Sequence, residues 1–421
     1  MKNSGTASTG QSSFSKAVGC RPPQRKLQRG AALLILLTVL TLWGLSLFIG
    51  QLNVTQNQIA RTPTTATALS EAKQALIGDA IAQTLISSTG YLRLPDIGVD
   101  GFGTPTEGNS AANFAGNSQD LSILGKLPWR TLGTPVLRDA DGECLWYAVS
   151  GRFKIQPKTA ALNWDTPGQI DVIDNNGSLA ATNLAALIVS PGRSLDGQDR
   201  AGTEPAYAQC SGNYDARNYL DAFDAGNALY GEVNYFAGSL NNRSAPNTNN
   251  KRFALAATDH YNDQLIFITT EDIFTPIIRR DDFRDAINSL MNDPQFSDPV
   301  KAIVIAGSKG IDNLDCSTSP AGNAFCKNWR EMLFLTQLTA PAPVTIDGLP
   351  SGNCNRVLLF SGARIAGQNR ISAAEKSDKN NYLEGANLAS FNAPIAIAAN
   401  FSGASFFDWQ TPGTDLIRCL P

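Results

Sequence analysis

The chain has 421 residues, enough for one large or two modest domains with a sizeable core. With 43% hydrophobic and only 17% charged residues, alongside 36 Gly and 22 Pro, the composition excludes a disordered chain and describes a loop-rich, strand-containing body. The formal net charge is −3, but Lys2, Lys16, Arg21, Arg25, Lys26 and Arg29 all fall in the first thirty residues without one acid; setting those six cations aside leaves −9 on the remainder, which excludes nucleic acid as a partner of the main body.

Behind this basic leader, residues 1–30, comes an uncharged run from Ala31 to Gly50. A helix of that length spans about 30 Å, so residues 31–50 are expected to form one membrane-crossing helix. Cations before the run and the first acid, Glu71, after it place the leader in the cytoplasm and the C-terminal bulk outside. A cleavable secretory signal fits less well, because its apolar region runs about 7 to 15 residues and ends in a small-x-small site. Residues 51–88 continue as an amphipathic helix: Leu69, Ala72, Leu76 and Ala80 recur at spacings of three and four, and Pro63 predicts a kink or break over Arg61 to Thr64.

After Ser88 the pattern changes to short apolar runs between Gly, Pro, Asn and Asp. "CLWYAVS", "LAALIVS", "QLIFITT", "KAIVIAG" and "RVLLFSG" read as strands, whereas Thr275 to Pro294 has helical spacing with Ile277, Phe283, Ile287 and Leu290 along one side. The expected fold class is therefore α+β, an antiparallel-rich head on a long N-terminal helix. Its first part covers residues 89–274, a helix and strand insert covers 275–340, and the C-terminal part covers 341–421.

The head contains an internal repeat. "AALIVSPGRSLDGQDR", Ala185 to Arg200, aligns with "NRVLLFSGARIAGQNR", Asn355 to Arg370, setting Gly197, Gln198 and Arg200 against Gly367, Gln368 and Arg370. Both copies are followed by Asn-Tyr-Leu and an acid, Asn218 to Asp221 and Asn381 to Glu384. Each arginine is expected to tie its own loop to a nearby acid or to carbonyls; a pair of ligand-binding arginines is the functional alternative.

Seven cysteines leave one over in an oxidising compartment, and Cys20 would depart with the leader. Cys144, Cys210, Cys316, Cys326, Cys354 and Cys419 remain as candidates for up to three disulfides; Cys316 and Cys326 bracket a short loop and are the expected pair, with the other connectivity open. No Cys-x-x-Cys occurs, which disfavours zinc. Asp96 and Asp100, in a glycine-containing loop, are weak calcium candidates.

Catalytic patterns are near misses. Ser308 follows an apolar run, but Ala306 stands where a nucleophile elbow has glycine, and the sole histidine, His260, lies upstream of it rather than downstream. "SEAK", Ser70 to Lys73, matches Ser-x-x-Lys without its companion motifs, and no Gly-x-x-x-x-Gly-Lys-Ser/Thr loop is present. No enzyme activity and no cofactor is expected.

A basic leader ending in Gly30 and followed at once by about twenty apolar residues resembles the signal of type IV prepilins and type II secretion pseudopilins. The resemblance implies cleavage by a prepilin peptidase between Gly30 and Ala31, methylation of the new amino terminus, and assembly with other pseudopilins or pilins through the N-terminal helix at an inner-membrane platform in the lipid bilayer. The family has Phe and Glu at the first and fifth mature positions; here they are Ala31 and Ile35. Loss of that glutamate, together with large size, is similar to the minor pseudopilin at the filament tip. The resemblance extends into Leu124 to Gly151 and implies an inner-membrane, single-pass protein with its head in the periplasm or at a filament tip. The competing expectation is an uncleaved single-pass protein with a periplasmic binding or scaffold domain.

Overall fold

Between Pro63 and Ala80, six residues on one stripe of a helix, Thr65, Ala68, Leu69, Ala72, Leu76 and Ala80, are buried while Glu71, Gln74 and Gly78 face outward. The computed structural model describes residues 63–83, 88–98, 107–112, 121–158, 161–174, 178–201, 209–210, 212–221, 251–255, 262–292, 311–312, 316, 323–392 and 399–421. Helix α1 covers 63–82 of them. Pro63 and Thr64 are themselves helical, and Arg61 lies outside the described residues.

The expectation of a membrane-crossing helix is corrected here. Among the described residues no helix is long and apolar enough to cross a membrane, and the run Ala31 to Gly50 that carried the expectation lies outside them. α1, in the stretch expected as an amphipathic helix, has a one-sided apolar stripe, with Glu71, Lys73 and Asp79 on the rest of its surface, a pattern that seats a helix on a protein core and would leave charges in hydrocarbon. The inner-membrane, single-pass placement is corrected with it. The architecture is α+β, built on antiparallel sheets.

Two sheets carry the body. In the first, β1 (Ile123–Lys126), β2 (Trp146–Val149), β5 (Ala186–Ser190) and β7 (Gln264–Ile268) pair in the order β1-β2-β5-β7, antiparallel throughout. Alternation sends Tyr147, Val149, Ala186 and Ile188 into the main core with α1, and Trp146, Ala148, Leu187 and Val189 into a second core. Both faces are thus covered, which is why β5 is an unbroken apolar run. The second core is closed by a three-stranded sheet, β4 (Leu179–Leu184), β3 (Ile170–Ile173) and β6 (Lys251–Ala254), through Ile170, Val172, Leu184 and Phe253.

The other main sheet has the order β11-β9-β10-β12, with β9 Leu333–Ile346, β10 Leu349–Phe360, β11 Ala399–Phe401 and β12 Leu416–Leu420; β8 (Ile311–Asp312) also pairs with β9. Asp347 and Gly348 both have positive φ, 51° and 78°, the pair of left-handed residues that a two-residue hairpin turn needs to match strand twist. Partners of β12 along β10 run from Arg356 to Phe360 only.

The helical stretch expected over Thr275 to Pro294 is two helices. α2 (Thr270–Ile278) starts on a capping box between Thr269 and Asp272, and α3 (Asp281–Asn292) follows after a break at Arg279 and Arg280. Pro276 sits inside α2 and weakens it from within. Ile277, Phe283, Ile287 and Leu290 are all buried. Helix α4 is Asn323–Trp329, α5 Ala373–Ser377 and α6 Gly385–Asn392. Of the expected strands, four correspond to β2, β5, β7 and the inner part of β10, and "KAIVIAG" lies outside the described residues.

Candidate functional site

The duplicated loops are where the structure concentrates buried charge. After β5 and after β10 the chain makes the same turn, with Gly197 and Gly367 at φ 88° and 93°, a left-handed conformation that costs a side-chain-bearing residue about 1 kcal/mol. Gln198 Oε1 accepts from Leu195 N–H at 2.9 Å and Gln368 Oε1 from Ile365 N–H at 3.2 Å. The same oxygens accept from Arg200 Nη2 at 2.7 Å and Arg370 Nη2 at 2.8 Å. Each guanidinium donates to the carbonyl of the loop's first glycine, Gly192 at 2.7 Å and Gly362 at 2.9 Å, and to the carbonyl of Asn218 or Asn381. Each lies over the next ring, Tyr219 or Tyr382. The glutamine amides donate to Asp221 at 2.9 Å and to Glu384 at 3.2 Å.

The register of the sheets extends the repeat beyond the motif. Val189 pairs with Trp146 and Leu265; Leu359, its counterpart, pairs with Phe334 and Ile417. β2-β5-β7 therefore corresponds to β9-β10-β12, and Asp263, one residue before β7, corresponds to Asp415, one residue before β12. Sequence reading missed this acid. "NDQLIFI" and "TDLIRCL" are identical only at Asp, and the offset differs from that of the loops.

In the first lobe the two acids bond to one another; in the second the charge of Glu384 acts on Asp415. Asp221 N–H donates to Asp263 Oδ2 at 2.9 Å, and Asp263 N–H returns a bond to Asp221 Oδ2 at 3.1 Å. Burial, then the neighbouring Asp221, pushes Asp263 well above the carboxylate range; burial also raises Asp221. In the second lobe burial and then Glu384 push Asp415 up to about 7, against donation from Gly362 N–H at 3.0 Å and Asn387 Nδ2 at 2.7 Å.

The arginines differ in their acids. Arg200 meets Glu143 at 3.2 Å. Arg370, 1% exposed, meets Asp165 at 3.0 Å; Asp165 also takes Arg364 at 3.0 Å. Beside Asp165, the ring of Trp164 enters an aromatic cluster with Trp329 at 4.7 Å, Phe360 at 6.2 Å and Phe283 at 6.5 Å. Both guanidiniums are spent on fastening loops, as the structural reading of the motif expects; no ligand-facing arm is left over on either.

Asp96 and Lys126 form a second buried polar centre. They are antiparallel backbone partners, with Asp96 N–H to Lys126 O at 2.9 Å and Lys126 N–H to Asp96 O at 2.8 Å. A Cβ on Gly125 would fall 2.4 Å from the Asp96 carbonyl, so only glycine fits there. The Asp96 carboxylate accepts from Gly98 N–H at 2.9 Å, Gly108 N–H at 2.7 Å and Tyr214 Oη at 2.7 Å. Burial outweighs these donors and pushes Asp96 up to about 6, while burial pulls Lys126, stacked over Tyr214 and Tyr219, down to about 8. A cation at Asp96 would have to displace these donors; Asp100 lies outside the described residues. Among the described residues no group of three or more His, Cys, Asp or Glu could hold a metal ion.

The six candidate cysteines pair as Cys144–Cys210, Cys316–Cys326 and Cys354–Cys419. Gly30, Ala31, Ile35, His260 and Ser308 lie outside the described residues. Lys73, the lysine of "SEAK", is ion-paired with Asp272 at 2.8 Å. A cleft of about 280 Å³ beside the second lobe is lined by Glu331, Phe334, Lys376, Lys379 and Tyr382, with Lys376 and Glu331 paired at 2.7 Å across it. No family model, curated protein or solved structure matches the chain. The functional reading therefore rests on the residues themselves.

Proposed function

We propose that the chain is a prepilin-like subunit, a large minor pseudopilin or minor pilin, whose work is assembly and contact rather than catalysis. The observation that carries this reading is the junction at Gly30: six cations without an acid, then a glycine, then twenty uncharged residues. Cutting on the basic side of that junction leaves the apolar run attached to the head, where it can pack against the same run of other subunits. Ile35 in place of the family's glutamate fits an initiating or tip position, where no subunit above presents an amino terminus in need of a counter-charge. Further support comes from the head, with its three disulfides suited to an oxidising compartment and its two arginine motifs given over to holding loops.

The partners under this proposal are a prepilin peptidase, an assembly platform and sibling subunits. N-terminal sequencing of the mature chain tests it. A start at methylated Ala31, lost when Gly30→Val is introduced, is expected; an intact Met1 to Gly30 leader on the assembled protein would reject it. An enzyme acting through Ser308 is tested separately by a serine-directed reagent, which this proposal expects to leave Ser308 unlabelled.

A further inference from the structure

In the first lobe, two buried acids are tied to each other, backbone N–H to carboxylate in both directions, with too few donors to go round. Asp221 Oδ2 accepts from Asn262 N–H at 2.6 Å and Asp263 N–H at 3.1 Å, and its Oδ1 accepts from Gln198 Nε2 at 2.9 Å. Asp263 receives one bond, from Asp221 N–H to Oδ2; its Oδ1 is buried without a hydrogen-bond partner. Both residues are 8% exposed. The charged groups around them do not balance the pair. Asp139, 5% exposed, adds a third carboxylate, held by Ser190 Oγ and Gly192 N–H at 2.9 Å each. Among the described residues Arg200 is the cation acting on the pair, and Glu143 already shares it. Two carboxylates forced together in a dry site cannot both ionise without large cost, and the cheapest relief is to keep a proton.

We propose that Asp221 and Asp263 act as a proton-held clamp: a proton kept by this buried, mutually bonded acid pair fastens the start of β7 to the Gly-Gln-x-Arg loop, and its loss on alkalinisation loosens that joint. The clamp belongs to the first lobe. In the second, both oxygens of Asp415 have donors, and Arg370 and Arg364 bring two cations to the same region.

The test is equilibrium unfolding in denaturant of the full, disulfide-intact chain from pH 5 to 9, for the wild type and for Asp263→Asn, whose amide cannot ionise. The clamp makes the native state hold a proton that the unfolded chain releases, so wild-type stability falls as pH rises through the window. Relative to Asp263→Asn, the wild-type unfolding constant should rise with pH, approaching tenfold per unit where the pair gives up its proton. Parallel profiles would overturn the clamp. A second measurement reads the pair directly: with carboxyl-labelled aspartate in the Asp415→Asn background, a resonance titrating well above the ordinary aspartate range should be present and should disappear when Asp263→Asn is added. If the resonance that disappears on adding Asp263→Asn is one that titrates in the ordinary aspartate range, the clamp is overturned.

Discussion

The two Gly-Gln-x-Arg loops share nearly every hydrogen bond and do different work. In the first lobe Arg200 closes on its own surroundings: Gly192, Gln198, Asn218, Tyr219 and the partly exposed Glu143. In the second, Arg370 makes the same local bonds and then reaches Asp165, 205 residues earlier in the chain, whose neighbour Trp164 is embedded in aromatic rings around Phe360. One motif is a lobe's internal fastening; its copy is also the joint between the two halves of the body. The difference lies in one acid that each guanidinium finds after its local partners are satisfied.

That contrast can be broken at several points. The largest effect is expected at the disulfides. Cys144–Cys210 and Cys354–Cys419 close loops of almost equal span, 66 and 65 residues, so replacing either pair by alanine should cost about 4 kcal/mol on the chain-entropy argument, against about 3 kcal/mol for Cys316–Cys326, which spans 10. Denaturant midpoints of the three double variants check the order; if the two long bridges differ by several kcal/mol, the lobes are not equivalent in their unfolded chains.

Next come the arginines. Arg370→Ala strips a fully buried carboxylate of one of its two cations and should destabilise by about 3 kcal/mol, whereas Arg200→Ala, with Glu143 able to turn to solvent, should cost about 2 kcal/mol. A double-mutant cycle with Asp165→Ala sharpens this. Strong coupling to Arg370 and none to Arg200 is expected, and equal coupling would refute the joint.

A smaller effect is expected from pH in the second lobe. Asp415, at about 7 when folded against an ordinary 3.8, gives the native state more protons than the unfolded chain across that interval, so stability falls as pH rises through it and levels off above 7. Asp415→Asn should flatten the profile by up to about 2 kcal/mol between pH 5 and 7. Lys126 bends the curve the other way: held at about 8 when folded, it makes stability rise between pH 8 and 10.5. The smallest effect is at the turn glycines. Nothing lies within 4 Å of a Cβ at Gly197 or Gly367, so alanine at either should cost only the backbone strain, about 1 kcal/mol and equal in both lobes.

How much of this could be read from the sequence follows the range of each interaction. The repeated loop was legible because glycine, glutamine and arginine fall within four residues and satisfy one another locally, and Asn-Tyr-Leu marks where the carbonyls return. Strands such as β5 were legible from unbroken apolar runs. Asp165 was not, since nothing near it distinguishes a carboxylate that will meet Arg370 from a solvated one. Asp263 and Asp415 became equivalent only through sheet register. The split of one expected helix into α2 and α3 was signalled by Pro276, but periodicity runs straight through a break when both halves face the same core. The Asp96 loop looked like a cation site because acids and glycines also suit a carboxylate capped by backbone N–H groups and a tyrosine.

The long hairpin of β9 and β10 has a consequence for crowding. Past Arg356, among the described residues, no strand lies on the far side of β10, so the stretch from Leu349 to Asn353 offers a bare rim to any neighbour. Pro350 takes one donor from that rim and Gly352, at φ 90°, bends the backbone out of line. At this rim, a neighbouring copy meets a ladder already spoiled as a template for added strands.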